Sequence, residues 1–284
     1  MGGVASVPAT GRNSMMLVMM SPAADSAARV SAATSSSGVG SGCGFLFFFF
    51  WNSRMVSINA CRRDAASLAA IAAQIGDSAQ GAFDDQVTRE LVRKTFAAGA
   101  QTLKAGDTFL FTYSGHGYRR TSNAPFVNEE GICLFDGLMS DVEFHNLVAL
   151  LPAGVNFIGI FDSCHSGGMD RDWSPFAPRF RSAHPRAVGD AMPQGLKSAL
   201  QCNAIILAAC QPTETALDGD KNGAWTECLL AAYESAVRDE CPLNWQEWFA
   251  HAANICSGRH PSQHPLLKPM GGETQSLLNV RITN

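Results

Sequence analysis

Hydrophobic and polar residues alternate in two kinds of segment beyond residue 58 of this 284-residue chain. Short apolar runs rich in aromatic and β-branched residues predict buried strands, and stretches with apolar residues every three or four positions predict amphipathic helices. The predicted strands are 108–113, 132–135, 156–161 and 204–209. The predicted helices are 64–75, 88–103, 140–151, 224–238 and 245–256. This alternation is typical of an α/β domain with a mostly parallel sheet.

Helix ends and turns carry the expected local signals. Thr88 and Ser140 stand where N-caps are expected, and Ser140 with Glu143 has the form of a capping box. Residues 169–201 have no clean period and predict a long surface loop, and the residues after 256 show no clear element. We therefore expect helices that begin at Thr88 and Ser140, and one long surface loop at 169–201.

Residues 1–54 have a different texture. They are rich in Ser, Ala, Gly and Met and contain one acidic residue, Asp25, which predicts a disordered leader before a folded domain at 55–284. Three targeting interpretations stay open: N-myristoylation at Gly2, an organelle transit peptide and a secretory signal. An untargeted leader and a cytoplasmic protein are favoured. The apolar run 45–51 is shorter than the roughly 20 residues that span a bilayer, so no transmembrane segment is expected.

Composition narrows the classes of partner. The chain has 21 Lys and Arg against 25 Asp and Glu, a net charge of -4, and no basic block, so nucleic acid is not an expected partner. Nine cysteines at irregular spacing predict reduced thiols rather than a disulfide framework. No sequence feature bears on assembly, and a monomer is expected.

Two residues with catalytic chemistry follow predicted strands. His116 comes after strand 108–113 between two glycines, and Cys164 comes after strand 156–161. Because functional groups of parallel sheets collect at the carboxyl ends of strands, these two side chains are expected to meet. An imidazole beside a thiol favours the thiolate, which is the nucleophile, so the pair is a candidate Cys/His dyad. The N–H groups of Gly117 and Cys164 are candidate donors to a developing oxyanion.

The motifs around these residues resemble those of the metacaspases, a family of caspase-like cysteine peptidases. The resemblance rests on Tyr113-Ser-Gly-His-Gly117, Asp162-Ser-Cys-His-Ser-Gly167, Asn59-Ala-Cys-Arg-Arg-Asp-Ala65 and Leu103-Lys-Ala-Gly-Asp107, and it covers 58 to about 235. It implies a caspase-like three-layer α/β fold with a six-stranded, mostly parallel sheet flanked by helices. The C-terminal helix and tail, 240–284, complete the expected domain.

The same resemblance implies an activity and its residues. Cys164 would be the nucleophile and His116 the proton shuttle of an endopeptidase that cleaves protein or peptide substrates after Arg or Lys. Asp162, Ser114 and Asp64 would form the S1 site, which binds the side chain before the scissile bond. A carboxylate at Asp162 fits a cationic side chain. The segment 44–51 is the only candidate for the family's first core strand.

Metal sites are weaker predictions. No cofactor is needed for the thiol chemistry, but the family often uses calcium, for which Asp141 and Glu130 are the candidate ligands. Val142 stands where the family has a second carboxylate, which weakens the case, since calcium takes six or more oxygens. Segment 218–223 begins like an EF-hand loop but lacks its final Glu, so a turn is predicted. The resemblance implies that this turn lies near the substrate. His251, Cys256, His260 and His264 have the chemistry of zinc ligands without the paired spacing of a zinc site.

Two functions from different classes remain. The first is the Arg/Lys-directed endopeptidase, which would process itself in loop 169–201, where Arg and Lys are frequent. The second is a catalytically inactive caspase-like module that binds a partner. His145 and His165 are expected to be structural histidines. Four other cysteines are expected to be buried apolar residues: Cys133, Cys202, Cys210 and Cys228.

Overall fold

Helices and strands alternate through most of the chain. A computed structural model describes residues 17–18, 60–76, 80–121, 128–163, 198–211, 214–219 and 221–283. Helices α1–α6 lie at Cys61–Ile75, Arg89–Thr102, Asp141–Val148, Ala224–Arg238, Trp245–Arg259 and Thr274–Leu278. Strands β1–β9 lie at Leu17–Val18, Gln80–Gly81, Thr108–Ser114, Gly117–Thr121, Asn128–Leu134, Gly137–Ser140, Asn156–Asp162, Asn203–Ala208 and Leu266–Gly271.

The main sheet has the strand order β3-β7-β8-β9. Strands β3, β7 and β8 are parallel, and β9 pairs antiparallel with β8. Every residue of β3 and of β7 is buried, as expected for strands covered on both faces. The predicted α/β class with a mostly parallel sheet is confirmed. The resemblance implied six strands, and four belong to this sheet within the described residues.

Two smaller sheets lie outside the main one. Strands β4, β5 and β6 form an antiparallel sheet that follows β3 directly. Strand β1 pairs in parallel with β2, although its two residues fall in the predicted leader. The predicted candidate for the first core strand, 44–51, lies outside the described residues, as does most of the predicted leader.

Polar side chains fix the starts of α2 and α3. Thr88 Oγ1 accepts the N–H of Leu91 at 3.2 Å, and Ser140 Oγ accepts the N–H of Glu143 at 3.1 Å, so both predicted N-caps are confirmed. The capping box predicted at Ser140 was wrong in its second half. The Glu143 carboxylate pairs instead with Arg89 at 3.0 Å and Arg93 at 2.5 Å, because α2 brings two cations to its side.

One face of the main sheet is covered by α2 and α3 and is largely aromatic. The ring of Phe96 on α2 lies 4.9–5.9 Å from the rings of Phe109, Phe111, Phe144 and Phe157. These distances are typical of favourable offset and edge-to-face contacts. Since successive side chains of a strand point to opposite faces, the residues between these phenylalanines must point to the other layer.

The second face of the sheet packs against α1 and α4, and α5 packs against α4 with its own buried face. Trp225 on α4 lies 5.8 Å from Phe249 on α5, and Trp248 Nε1 donates to the carbonyl of Leu229 at 2.8 Å. Helices therefore cover both faces, which makes the three layers that were expected. No helix of the described ranges is long and apolar enough to cross a bilayer.

The chain beyond α5 was predicted to have no clear element, and this was wrong. Strand β9 occupies the edge of the main sheet beside β8, and α6 follows it. The sequence Leu266–Gly271 contains Lys268 and Pro269 and lacks a strand pattern. Proline is tolerated on an edge strand, where its missing N–H costs no ladder bond. The pairing with β8, a long-range contact, makes this segment a strand.

The aromatic cluster gives a prediction for stability. Phe96→Ala should lower the free energy of unfolding by about 3–5 kcal/mol, because it leaves a cavity among four rings that cannot collapse fully. Denaturant unfolding followed by circular dichroism measures the loss. The control is Val237→Ala, since Val237 is 49 % exposed on α4 and should change stability by about 0.5 kcal/mol or less. Equal effects of the two substitutions would contradict this assignment of the core.

Candidate functional site

The carboxyl ends of β3 and β7 lie side by side. These strands pair in register over seven residues, from Thr108 with Asn156 to Ser114 with Asp162. The contact continues one residue further, where the N–H of Gly115 donates to the carbonyl of Asp162 at 3.3 Å. His116 follows Ser114 by two residues, and Cys164 follows Asp162 by two. The register therefore brings the two predicted catalytic segments to one edge of the sheet.

The backbone of His116 is held by two donors. Its carbonyl accepts the N–H of Cys133 on β5 at 3.0 Å and the hydroxyl of Tyr113 on β3 at 2.7 Å. The residue is buried, with 2 % of its surface exposed. Because a β-strand and an aromatic side chain both fix its main chain, the imidazole starts from a rigid position.

The peptide N–H of Gly117 points away from β5. The bond from Cys133 to His116 makes these two residues a hydrogen-bonded pair of the antiparallel ladder. The next pair, Gly117 with Ile132, is then a non-hydrogen-bonded pair, whose N–H and C=O groups point outward. This geometry directs the N–H of Gly117 away from β5, outward from the edge strand β4, as an oxyanion donor would require.

Asp64 joins three elements beneath this edge. It lies in the first turn of α1 and is fully buried. Its Oδ2 accepts the hydroxyl of Ser114 at 2.5 Å, and its Oδ1 accepts the N–H of Gly223 at 2.7 Å. Two of the three predicted S1 residues are thus in direct contact, on the same sheet face as α1 and α4.

Asp162 ends β7 and is 1 % exposed. Its Oδ2 accepts two hydrogen bonds from one residue of α4: the N–H of Thr226 at 2.9 Å and its hydroxyl at 2.7 Å. Ser114 is its Cα partner across the β3–β7 ladder. The structure therefore brings Asp64, Ser114 and Asp162 together, and their role as an S1 site stays a prediction of the resemblance. The start of α4 favours the negative charge of the two aspartates, because the N-terminal end of a helix carries partial positive charge.

A short turn positions the start of α4. Asp218 and Gly223 form an isolated bridge, and the N–H of Gly219 donates to the carbonyl of Asn222 at 2.9 Å. Glu227 Oε1 accepts the N–H groups of Lys221 at 3.0 Å and of Asn222 at 3.1 Å. The segment that begins like an EF-hand loop is thus a turn, as predicted, and its final N–H is the one that reaches Asp64.

Cys164 and His165 lie outside the described residues, as does most of the predicted loop 169–201, so their predicted roles stay predictions. His145 lies on α3, where its Nε2 contacts the carbonyl of Ser198 at 2.8 Å, which fits the structural role expected for it. His116 is the predicted catalytic residue that the structure places at the edge.

Several other thiols are unsuited to nucleophilic chemistry. Cys133, Cys202, Cys210 and Cys228 are buried, as predicted. Burial raises the pKa of Cys133 to about 12 and that of Cys202 to about 11, so both stay protonated near neutral pH. A hydrogen bond from the Cys256 thiol lowers the pKa of Cys228, which is fully buried on α4 and contacts Cys256 of α5.

Within the described residues, the candidate metal ligands do not form a complete site. Gly131 pairs with Ser140 in the β5–β6 ladder, so Glu130 on β5 and Asp141 at the start of α3 both come next to this pair, on the same side of it. Two carboxylates fall short of the oxygens that calcium needs, and no group of three acidic, His or Cys residues gathers among the described residues. For zinc, His264 contacts Glu214 and the Cys256 thiol contacts the carbonyl of Gln263. Calcium stays a prediction without a complete ligand set here.

Sequence reasoning missed Thr226 and Tyr113. A signal for Thr226 was available, because the helical period puts it on the same face as Leu229 and Tyr233, and a polar group on a buried face needs a partner. No comparable signal marks Tyr113, whose hydroxyl could have bonded anywhere near the strand. The acceptor of the Tyr113 hydroxyl, the carbonyl of His116, is placed by the path of the chain from β3 into β4.

The loop after β8 is held by residues near β9. The side chain of Gln263, fully buried, donates to the carbonyl of Ala209 at 3.0 Å and accepts the N–H of Leu217 at 2.9 Å. Glu214 in this loop accepts the N–H of His264 at 2.8 Å and contacts its ring Nδ1 at 2.5 Å. The segment just before the missed strand β9 therefore anchors the loop that leads to Gly223 and α4.

Comparison with known proteins identifies a family over part of the chain. Residues 60–170 match the metacaspase, peptidase C14 domain. Metacaspase-1 of Arabidopsis thaliana is 32% identical over 53% of this chain. A Trypanosoma brucei brucei protein named inactive metacaspase-4 is 29% identical over 63% of it. The aligned parts span 45% and 55% of those two relatives, so the chain corresponds to about half of their length.

A solved structure supports the fold. The crystal structure of protein GSU0716 from Geobacter sulfurreducens superimposes with a TM-score of 0.71 and 24% sequence identity, over 84% of this chain and 98% of that one. At this identity the likeness concerns the fold. The resemblance predicted from the two motifs is confirmed, and the matched residues include both strand ends.

The Glu214–His264 contact predicts a pH dependence of stability. Partial burial by itself raises the pKa of Glu214, but hydrogen bonds from His264 and Gln211 outweigh it, and the pKa lies below the usual 4.5. A carboxylate with a lowered pKa stabilises the fold above its unfolded pKa, and this contribution is lost as pH falls through the folded value. Glu214→Gln should therefore lower Tm by roughly 2–4 °C at pH 7 and by clearly less at pH 3, because the contribution of the charge falls as the carboxylate is protonated.

Thermal unfolding by calorimetry at both pH values measures the difference. The control is Glu247→Gln, since Glu247 caps α5 through Asn244, outside the loop. A Glu214→Gln deficit of the same size at pH 3 as at pH 7 would contradict the role given to the charge.

Proposed function

We propose that this chain, which carries a metacaspase, peptidase C14 domain at residues 60–170, is a cysteine endopeptidase that cleaves peptide bonds after Arg or Lys. One observation carries the proposal. The parallel register of β3 and β7 makes Ser114 and Asp162 partners, and His116 and Cys164 each follow these partners by two residues. A general base and a nucleophile are then expected within reach of one another.

The chemistry follows from the chain's own groups. The Cys164 thiolate attacks the carbonyl carbon of the scissile bond, and the N–H groups of Gly117 and Cys164 stabilise the oxyanion that forms. His116 then donates a proton to the leaving amine, and the C–N bond breaks to give a thioester. Water attacks that thioester and His116 accepts its proton; the C–S bond then breaks, the acid product leaves, and the Cys164 thiolate beside protonated His116 is restored.

Specificity for a cation is supported by the buried carboxylates of Asp64 and Asp162. An ionised carboxylate has about four acceptor sites, so the hydrogen bonds from Ser114, Gly223 and Thr226 orient the two groups and are compatible with a further contact from Arg or Lys. An Asp side chain before the scissile bond would be repelled by both. The proposed substrates are therefore proteins or peptides with Arg or Lys at the cleavage site.

A second candidate function is a caspase-like module that binds partners without cleaving them. The observation that favours it is the similarity to a relative named inactive metacaspase-4. Both functions use the same fold and S1 residues, so turnover separates them.

Cys164→Ala should lower hydrolysis of a fluorogenic peptide ending in Arg by roughly a thousandfold or more, because the nucleophile is lost. The matched control is Cys241→Ala, which removes an exposed thiol and should leave turnover unchanged. Purified full-length chain is assayed with peptides ending in Arg, Lys or Asp, in calcium and in chelator, which also tests calcium dependence. Equal turnover by the chain and its Cys164→Ala variant would refute the dyad, and no turnover by folded chain would favour the binding module.

Tyr113→Phe tests how the His116 backbone is held. The substitution removes the hydroxyl that donates to the His116 carbonyl and keeps the ring. We expect kcat for the Arg peptide to fall about 3- to 10-fold with KM unchanged, and stability to fall by about 1 kcal/mol. Tyr233→Phe is the control, because that hydroxyl contacts Gln74 at 3.3 Å between α1 and α4. A rise in KM at constant kcat would contradict this assignment.

A further inference from the structure

We infer that Thr226 is a specificity-determining residue: it holds the Asp162 carboxylate in the orientation that recognises a cationic substrate side chain. The inference rests on the proposed function and deepens its S1 site. Thr226 is a positioning residue, because it acts on the substrate through Asp162. It lies in the first turn of α4, outside the segment 60–170 that matches the family domain.

Thr226 gives one carboxylate oxygen two donors from a single residue. Its N–H and its hydroxyl both donate to Asp162 Oδ2, at 2.9 and 2.7 Å. The N–H belongs to the first turn of a helix and has no partner within that helix to compete for it. The branched side chain of threonine has few χ1 rotamers, so the hydroxyl is fixed with the backbone. Two rigid donors on one oxygen set the direction in which the rest of the carboxylate faces.

The first turn of α4 is itself held at several points. The N–H of Gly223 donates to Asp64 Oδ1 at 2.7 Å, and the N–H of Ala224 donates to the carbonyl of Leu217 at 3.0 Å. Glu227 accepts the two N–H groups of the preceding turn. Both S1 carboxylates therefore accept hydrogen bonds from the same four residues at the start of the helix. Their orientation depends on α4 as well as on α1 and β7, which carry them.

Burial strengthens the effect of Thr226 on the orientation of the Asp162 carboxylate. Thr226 is fully buried and Asp162 is 1 % exposed, so water cannot replace a lost hydroxyl donor. A hydrogen bond to an ionised group is stronger than one between neutral groups, and its loss leaves a buried charge with fewer partners. The backbone of His116 is held by β3 and β5, and Cys164 follows β7 in sequence. A change at Thr226 is thus expected to alter binding of a charged side chain and to spare the chemical step.

The test compares a charged side chain with its neutral twin. Binding is measured by calorimetry to full-length Cys164→Ala protein, using an uncleaved peptide with one Arg and the same peptide with citrulline, which has nearly the same shape and no charge. Thr226→Val, which removes the hydroxyl and keeps the shape, should weaken binding of the Arg peptide about tenfold and that of the citrulline peptide less than about twofold. Thr226→Ser keeps the hydroxyl and should bind both within about twofold of the parent.

The same variants in the active chain separate binding from chemistry. Thr226→Val should raise KM for the Arg substrate about tenfold and change kcat less than about threefold. In an Asp162→Asn background, the Thr226→Val substitution should have no further effect on Arg selectivity, because the carboxylate that it orients is gone. Thr226→Ala replaces Thr226→Val if thermal unfolding shows that the valine variant does not fold.

Three outcomes overturn the inference. These are unchanged Arg binding in Thr226→Val, an equal loss for the Arg and citrulline peptides, which would show a structural role, and no preference of the parent for Arg over citrulline. Failure of the proposed function looks different. If the active chain cleaves nothing but Cys164→Ala protein prefers Arg and loses that preference in Thr226→Val, the endopeptidase assignment fails and the role of Thr226 stands.

Discussion

The parallel pairing of β3 with β7 is the contact on which the rest of the site depends. Its register makes Ser114 the partner of Asp162, and both strands then end at the same level of the sheet. Had the register slipped by one residue, every side chain of a strand would have moved to the opposite face. Burial on both faces prevents such a slip, because the aromatic layer of α2 and α3 and the layer of α1 and α4 each need their own set of side chains.

The same pairing explains why one face carries packing and the other carries chemistry. On the aromatic face, Phe109, Phe111, Phe157 and Phe161 pack around the phenylalanines of α2 and α3. On the opposite face, Ser114 and Asp162 meet the polar groups of α1 and α4. A rigid apolar layer behind the strands is the usual support for a precise polar site in front of them. The buried carboxylates are tolerated because each accepts hydrogen bonds from the helices that cover it.

Much of this could be predicted from local sequence. Strands β3, β7 and β8 are short runs of apolar, aromatic and β-branched residues. Helix α4 has an ordinary helical period, and Thr88 is an ordinary N-cap of α2. Local sequence is therefore enough to specify these elements. Strand β9 could not be predicted, because Lys268 and Pro269 disfavour a strand and only pairing with β8 forms it. Glu143 was assigned to its own helix start, whereas cations of α2 take its carboxylate. In both cases a partner distant in sequence outweighs a weak local preference.

For the site, the motifs around His116 and Cys164, with Asp64 and Asp162, already indicate the family and the chemistry, since residue type and order along the chain carry that information. The orientation of the carboxylates is not contained in those motifs. It comes from Thr226 and Gly223 on a helix some 60 and 160 residues away in sequence, whose donors reach Asp162 and Asp64. Hydrogen-bond geometry depends on distances of a few tenths of an ångström and on angle. Only packing of the whole domain fixes such distances between segments that are far apart in the chain.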